Sequence, residues 1–202
     1  MATYIFQKIA DEGKASGFEY GSETSRDWFR DKASEVGQVN LRREMTNRER
    51  LRNRMTVQDA GRMYMFFYDP KHKATLPYYD RFPLIFMVDK TKDGFTGLNL
   101  HYLPPLFRAR LMDRLYSIEM NDAVRQSKKL KLTYGLLSSA AKFSYFKPTF
   151  KRYLNNHVRS RFLYVPAEEW DIALMLPTER FKKAKSATVY KDSRSSFGSK
   201  GK

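Results

Sequence analysis

Three histidines, His72, His101 and His157, and three aspartates, Asp69, Asp80 and Asp89, are the places in this chain where acid–base or metal chemistry could begin. The histidines fall in three different predicted elements, and no spacing brings them to one ion. His101, between Leu100 and Tyr102, reads as a hydrogen-bonded strand residue rather than a ligand. His72 stands between Lys71 and Lys73, whose charges disfavour its protonated form and repel a metal. Asp69-Pro70-Lys71 offers one carboxylate and one lysine. A metal-dependent nuclease needs several carboxylates converging on a hydrated cation, so Asp80 or Asp89 would have to join them. Asp-Pro at a strand end is ordinary turn chemistry, however, and no second carboxylate is placed by spacing. Walker loop, dinucleotide glycine fingerprint, zinc-protease histidine pair and nucleophile elbow are all missing. The chain has no cysteine, which excludes disulfides, thiolate metal sites and cysteine nucleophiles. The expectation is therefore no catalytic residue, no metal ligand and no cofactor, with a nuclease kept as the enzymatic alternative.

What the chain has in excess is positive charge. Lys and Arg number 38 against 22 Asp and Glu, a formal net charge of +16. That balance predicts affinity for polyanions or acidic protein surfaces and says little about fold. Arg42, Arg43, Arg48, Arg50, Arg52 and Arg54 are set among only Glu44 and Glu49. From Arg180 to Lys202 there are eight basic residues against Asp192, among them Lys182, Lys183, Lys185 and Arg194. These two clusters, with Arg62 and Arg81, form the candidate partner-binding set. The bland reading is a pair of solvated arms; the functional one is arms that grip phosphates or dock on subunits. Tyr64, Phe66, Tyr68, Tyr78 and Tyr79 could stack bases beside such arginines. A small barrel needs bulky fillers, though, so the aromatics read first as core. Arg62, Arg81, Arg108 and Arg110 then belong to the surface or an interface.

The elements that must position these residues fall into three parts. At 202 residues, with 42% hydrophobic and 15% aromatic residues, the chain fits one folded domain with extensions. Residues 1–56 read as a charged N-terminal arm, in which Ser25 caps a short helix carrying Trp28 and Phe29 and ended by Gly37. Residues 57–181 read as the core. Arg62–Tyr68, Phe82–Val88 and Phe95–Tyr102 are strand-like, and Lys92-Asp93-Gly94 supplies a hairpin turn between the last two. Pro104-Pro105 opens a helical insertion over about 104–160, with Leu106, Phe107, Leu111, Leu115 and Ile118 at helical spacing. Further helices are expected at Leu136–Phe143 and from Pro148 through Val158. Arg161–Val165 is a fourth strand and Trp170–Leu176 a fifth, although Pro166-Ala167-Glu168-Glu169 could equally start a helix. The expected class is α+β: a small antiparallel, SH3-like β-barrel with a helical insertion, plus extended basic N- and C-terminal arms. The arm at 182–202 is too poor in apolar residues to drive its own folding. The N-terminus lacks the apolar run of a signal peptide, and no stretch has membrane-spanning length, so a soluble protein made in a cytoplasm is expected.

Several strings are distinctive as text. They are Gly61–Tyr64, Tyr68-Asp69-Pro70-Lys71, Leu76–Pro83, Gly97–Pro105, Trp170–Ala173 and Leu176–Glu179. Over roughly residues 25 to 190 the chain resembles small virion structural proteins of large contractile-tailed bacteriophages. The resemblance implies a virion location and brings no catalytic residues with it. It implies a non-enzymatic assembly protein of the tail or baseplate, whose partners are other phage structural proteins with acidic surfaces. The alternative is a DNA-binding virion protein at the head, neck or genome end, protecting DNA ends, with nucleic acid as the acidic partner. No membrane partner is expected.

Overall fold

The structure is a computed structural model. It describes residues 59–119, 147–175 and 178–195 continuously, with short pieces at 11–13, 15–17, 24–25, 27–28, 31–32, 54–55, 128–129, 133 and 135–136. The expected helix at 136–143, most of the N-terminal arm and the arginines at 42, 43, 48, 50 and 52 lie outside these residues.

Among the described residues, eight strands and three helices carry the fold. The strands are β1 (Arg54–Met55), β2 (Met63–Met65), β3 (Tyr79–Asp80), β4 (Leu84–Thr91), β5 (Gly94–Asn99), β6 (Phe150–Leu154), β7 (Phe162–Val165) and β8 (Phe181–Lys182). The helices are α1 (Pro105–Glu119), α2 (Trp170–Met175) and α3 (Ser186–Ser195). Six strands form one antiparallel sheet in the order β1-β7-β2-β4-β5-β6, and β3 pairs with β8 in a second, two-stranded one. The class is α+β.

Alternation along β2 and β4 divides the interior in two. Met63, Met65, Leu84, Phe86 and Val88 share one face, against Leu111, Met112 and Leu115 of α1 and Trp170, Ala173 and Leu174 of α2. Tyr64, Phe66, Ile85 and Met87 take the other face, with Tyr68, Phe95, Tyr153 and Phe162. There Phe95 of β5 and Phe162 of β7 bring ring centroids within 5.5 Å. β7 and β5 are three strand spacings apart, roughly 14 Å along a flat sheet. The sheet is therefore curled around its aromatics. The fillers expected of a barrel are in place for Tyr64, Phe66 and Tyr68, but the edges β1 and β6 do not pair among the described residues, so no closed barrel results.

Local chemistry explains the hairpin and the first helix. Asp93-Gly94 turns the chain between β4 and β5 as expected, with Thr91 opposite Gly94. A side chain at Gly94 would also land on the Tyr153 carbonyl oxygen of β6, so glycine permits the close approach. Gly61 takes φ 82°, where L-residues are strained, and donates its N–H to Met87 O at 2.7 Å. Pro105 begins α1, where a missing N–H is harmless.

Three expectations are corrected. The helix foreseen from Pro148 through Val158 is instead β6, because pairing with β5 from Gly94↔Leu154 to Leu98↔Phe150 overrides local preference. The fifth strand foreseen at Trp170–Leu176 is helical at Trp170–Met175. A helix there puts Trp170, Ala173 and Leu174 on one buried face, and Trp170 Nε1 donates to Val165 O at 3.1 Å. The C-terminal arm is not extended throughout: it contains α3, anchored by the buried Val189 and by Ser193 Oγ, which donates to Tyr102 O at 3.0 Å. At the other end of the chain, Trp28 packs on the main core and Ser25 Oγ donates to Asp171 of α2 at 2.6 Å.

Candidate nucleic-acid interface

Two buried polar networks hold the C-terminal segment against the sheet. In the first, His101 Nδ1 lies 2.6 Å from Asp80 Oδ2, and His101 Nε2 lies 3.0 Å from Thr178 Oγ1. The Asp80 carboxylate also accepts from the N–H groups of Phe82 (2.9 Å) and Arg180 (3.1 Å) and from Asn99 Nδ2. Burial pushes the Asp80 carboxyl up, but the His101 charge and these hydrogen bonds outweigh it and hold the group below its ordinary range. A carboxylate, an imidazole and a hydroxyl in this sequence are the parts of a nucleophilic relay. Here Asp80, His101 and Thr178 are 4%, 0% and 1% exposed, so the hydroxyl reaches no substrate and the trio acts as a clamp. His101 is thus the hydrogen-bonded residue expected, seated in a 3-10 turn at Leu100–Tyr102 rather than in the strand.

The second network centres on Arg108, 2% exposed. Its guanidinium donates to Leu103 O (2.7 Å), Leu174 O (3.3 Å), His101 O (3.3 Å) and the Tyr190 hydroxyl (2.6 Å). Tyr190 in turn donates to Glu179 Oε1 at 3.0 Å. Burial raises the Glu179 carboxyl, and the charges of Arg108 and His101 more than reverse the effect. Arg108 belongs to the interior, contrary to its expected place at the surface or an interface. Five donors in a planar fork suit it to bridging carbonyls from two segments and a hydroxyl from a third.

Beside these networks opens a cleft of about 480 Å³, between the loop 70–79 and the ends of β5 and β6. Tyr78 and Tyr102 stand side by side in it, with ring centroids 6.0 Å apart, and Asn99 and Tyr153 lie buried beneath. Lys71 and His72 stand exposed in the loop, and Arg152 pairs with Asp93 at 2.8 and 2.9 Å. Lys151 is partly buried, with its ammonium 4.1 Å from the centre of the Tyr102 ring. Burial pulls that ammonium down to about 8. Lys183, at φ 69°, fixes the loop from outside by donating to Ala74 O (2.7 Å) and Leu76 O (3.0 Å).

The residues singled out from sequence are dispersed. Arg62 pairs with Asp59 at 3.3 Å and stacks over Tyr164. Arg81 is exposed, with its backbone joined to Tyr68 and Arg180. Arg54 lies in β1 opposite Leu163, Lys182 in β8 opposite Tyr79, Lys185 just ahead of α3, and Arg194 near its end. Of the basic candidates among the described residues, Lys183 bears on the cleft, through its loop. The nuclease alternative finds no assembled site: Asp69 binds Lys73 at 2.9 Å, Asp80 is sealed in its clamp, and Asp89 is exposed at the bulge of β4. Among the described residues no group of three or more acidic, histidine or cysteine side chains could hold a metal. Lys151 and Tyr102 were missed. Reading 150–154 as a strand would have placed Lys151 on the same face as the buried Tyr153.

The described residues thus belong to a strongly basic chain and form a cleft lined by tyrosines, by Lys71, Lys151 and Arg152, and by Asp80 and Asp93. A family model described as phage T4 terminal DNA protecting protein matches residues 4–192, and the chain belongs to that family of phage virion proteins. No curated protein and no solved structure matches it. The family's description speaks of DNA ends, so it supports the DNA-end alternative rather than the expected tail or baseplate role. No helix among the described residues is long and apolar enough to cross a membrane.

Proposed function

We propose that this protein binds the ends of the linear phage genome and shields them from exonucleases. The family match over residues 4–192 is the observation that carries the reading. The net charge of +16 and the cationic cleft supply the chemistry it requires. Protection in this reading works by occupancy rather than turnover: the relay-like trio found among the described residues, Asp80, His101 and Thr178, is sealed away from any substrate. In this reading the arginines from Arg42 to Arg54, with Arg62, Arg81, Lys182, Lys185 and Arg194, hold the phosphate backbone near the end. Such contacts position the protein without reading sequence. No observation favours docking on tail or baseplate subunits.

The test is exonuclease digestion of a linear duplex with the purified protein, in the presence of excess closed circular DNA, across a salt series. The expected result is full-length DNA persisting despite the circular competitor, with affinity falling steeply as salt rises. Protection abolished by an equal mass of circular DNA would show binding without regard to ends and sink the proposal.

A further inference from the structure

Among the described cations near the cleft, Lys71 is exposed to solvent and most of the others are engaged. Arg152 is held by Asp93, Lys73 by Asp69 and Lys183 by two backbone carbonyls. Lys151 is different. It is partly buried, its ammonium rests on the face of Tyr102, and no acceptor among the described residues takes a hydrogen bond from it. An ammonium withdrawn from water with no counter-charge is unfavourable, and an anion entering the cleft would relieve it.

The cleft's volume, about 480 Å³, lies in the range of small-ligand sites. It suits one nucleotide and is far too small for a duplex. Its base is formed by the buried Asn99 and Tyr153, and its other side opens to solvent. Tyr78, half-buried in the cleft wall, offers a base or sugar a ring, while Lys71 and His72 stand in the loop beside it. Two carboxylates also line the cleft, and both are engaged: Asp80 by His101 and backbone N–H groups, Asp93 by Arg152. A terminal phosphomonoester carries up to two charges near neutral pH, against one for an internal phosphodiester. It is the group on a DNA strand that best matches a nucleotide-sized cleft whose ammonium has no acceptor among the described residues.

We propose that the cleft receives the last nucleotide of a DNA strand and that Lys151 binds its terminal phosphomonoester. The inference rests on the DNA-end reading and goes beyond it by naming the group recognised and the residue that recognises it. Arg42 to Arg54 and the other surface cations then supply end-independent affinity, and Lys151 supplies the preference for an end.

The experiment measures binding of the full chain to short blunt duplexes carrying a 5′-phosphate, a 3′-phosphate or hydroxyls only, each with closed circular DNA as competitor. The wild type is expected to bind one phosphorylated end about tenfold more tightly than the hydroxyl end, the scale of one charge-assisted contact. Lys151→Met should erase that difference while keeping the weaker hydroxyl-end binding, and Lys151→Arg should keep part of it. Which phosphate is preferred identifies the strand end bound. A wild type that prefers linear over circular DNA but ignores the phosphate would overturn this inference and leave end protection standing. So would discrimination that survives in Lys151→Met. A wild type that does not prefer linear DNA at all would overturn the end-protection reading, and this one with it. If Lys151→Met fails to fold, a phosphorylated dinucleotide should displace the phosphorylated duplex from the wild type where its hydroxyl counterpart does not. Equal displacement by the two overturns the proposal.

Discussion

Arg108 and Lys151 are both cations drawn away from solvent, on either side of the turn that carries Tyr102, and the protein treats them in opposite ways. Arg108 is enclosed by three carbonyls and a tyrosine hydroxyl, with Glu179 one bond further on. Lys151 has a ring face and open space. A buried charge whose donors are satisfied locks segments into one arrangement, and removing a partner from such a group is strongly destabilising. A half-buried charge with a ring face but no hydrogen-bond acceptor among the described residues recovers only part of its desolvation cost until a ligand arrives. Neighbouring polar sites can thus be told apart by whether their hydrogen bonds close among themselves.

The contrast can be broken most forcefully on the clamp side. Asp80→Ala leaves His101, Asn99 and two backbone N–H groups without their acceptor, and is expected to lower stability by about 3–5 kcal/mol in urea unfolding. A loss near zero would mean that the buried trio is not what ties the C-terminal segment down. The same group shapes the acid response. Its folded pKa lies below the unfolded value, so its contribution is present above about pH 4 and is lost as the pH falls towards the folded value. Asp80→Asn should therefore show a shallower decline of unfolding free energy in that window than the wild type.

On the cleft side the sign reverses. Lys151→Met is expected to raise stability at neutral pH, by up to about 3 kcal/mol, because it removes a charge that burial disfavours. Lys151 is depressed from 10.5 to about 8, so the unfolded chain binds more protons between those values and the wild type gains stability as pH rises through them. The advantage of Lys151→Met should shrink over that interval and vanish above it, as followed by thermal unfolding at a series of pH values. A variant less stable than wild type at pH 7 would show that Lys151 has a partner in the fold.

Smaller changes sharpen the comparison. Tyr190→Phe removes the hydroxyl that joins Arg108 to Glu179, and should reduce stability by about 1–2 kcal/mol and speed hydrogen exchange in α3. Asp93→Asn removes the charge of an exposed pair but keeps a turn-forming residue ahead of Gly94, and the unfolding free energy is expected to change by less than about 1 kcal/mol. It does free Arg152 beside the cleft, so DNA affinity at low salt should rise modestly.

How much of this was legible depends on how local the signal was. The Asp93-Gly94 hairpin, the start of α1 at Pro105 and the apolar spacing of Leu111 and Leu115 are matters of neighbouring residues, and they were read correctly. β6 and α2 were read the wrong way round. β6 takes its conformation from pairing with β5, more than fifty residues earlier in the sequence. The apolar run of α2 fits either period until the core chooses the face with Trp170, Ala173 and Leu174. The Asp80–His101–Thr178 clamp joins three segments spread over nearly a hundred residues, so no motif announces it.

By itself the sequence determined an α+β chain with an aromatic core, no thiol chemistry and a positive charge that calls for an acidic partner. Those properties follow from composition and short-range pattern. Only the tertiary structure decided that Arg108 is spent on the fold while Lys151 has no acceptor among the described residues. Whether a charge has a partner is a question of distance between residues remote in sequence. Arg108 and Lys151 look alike in the chain and differ only in what folding brings to them.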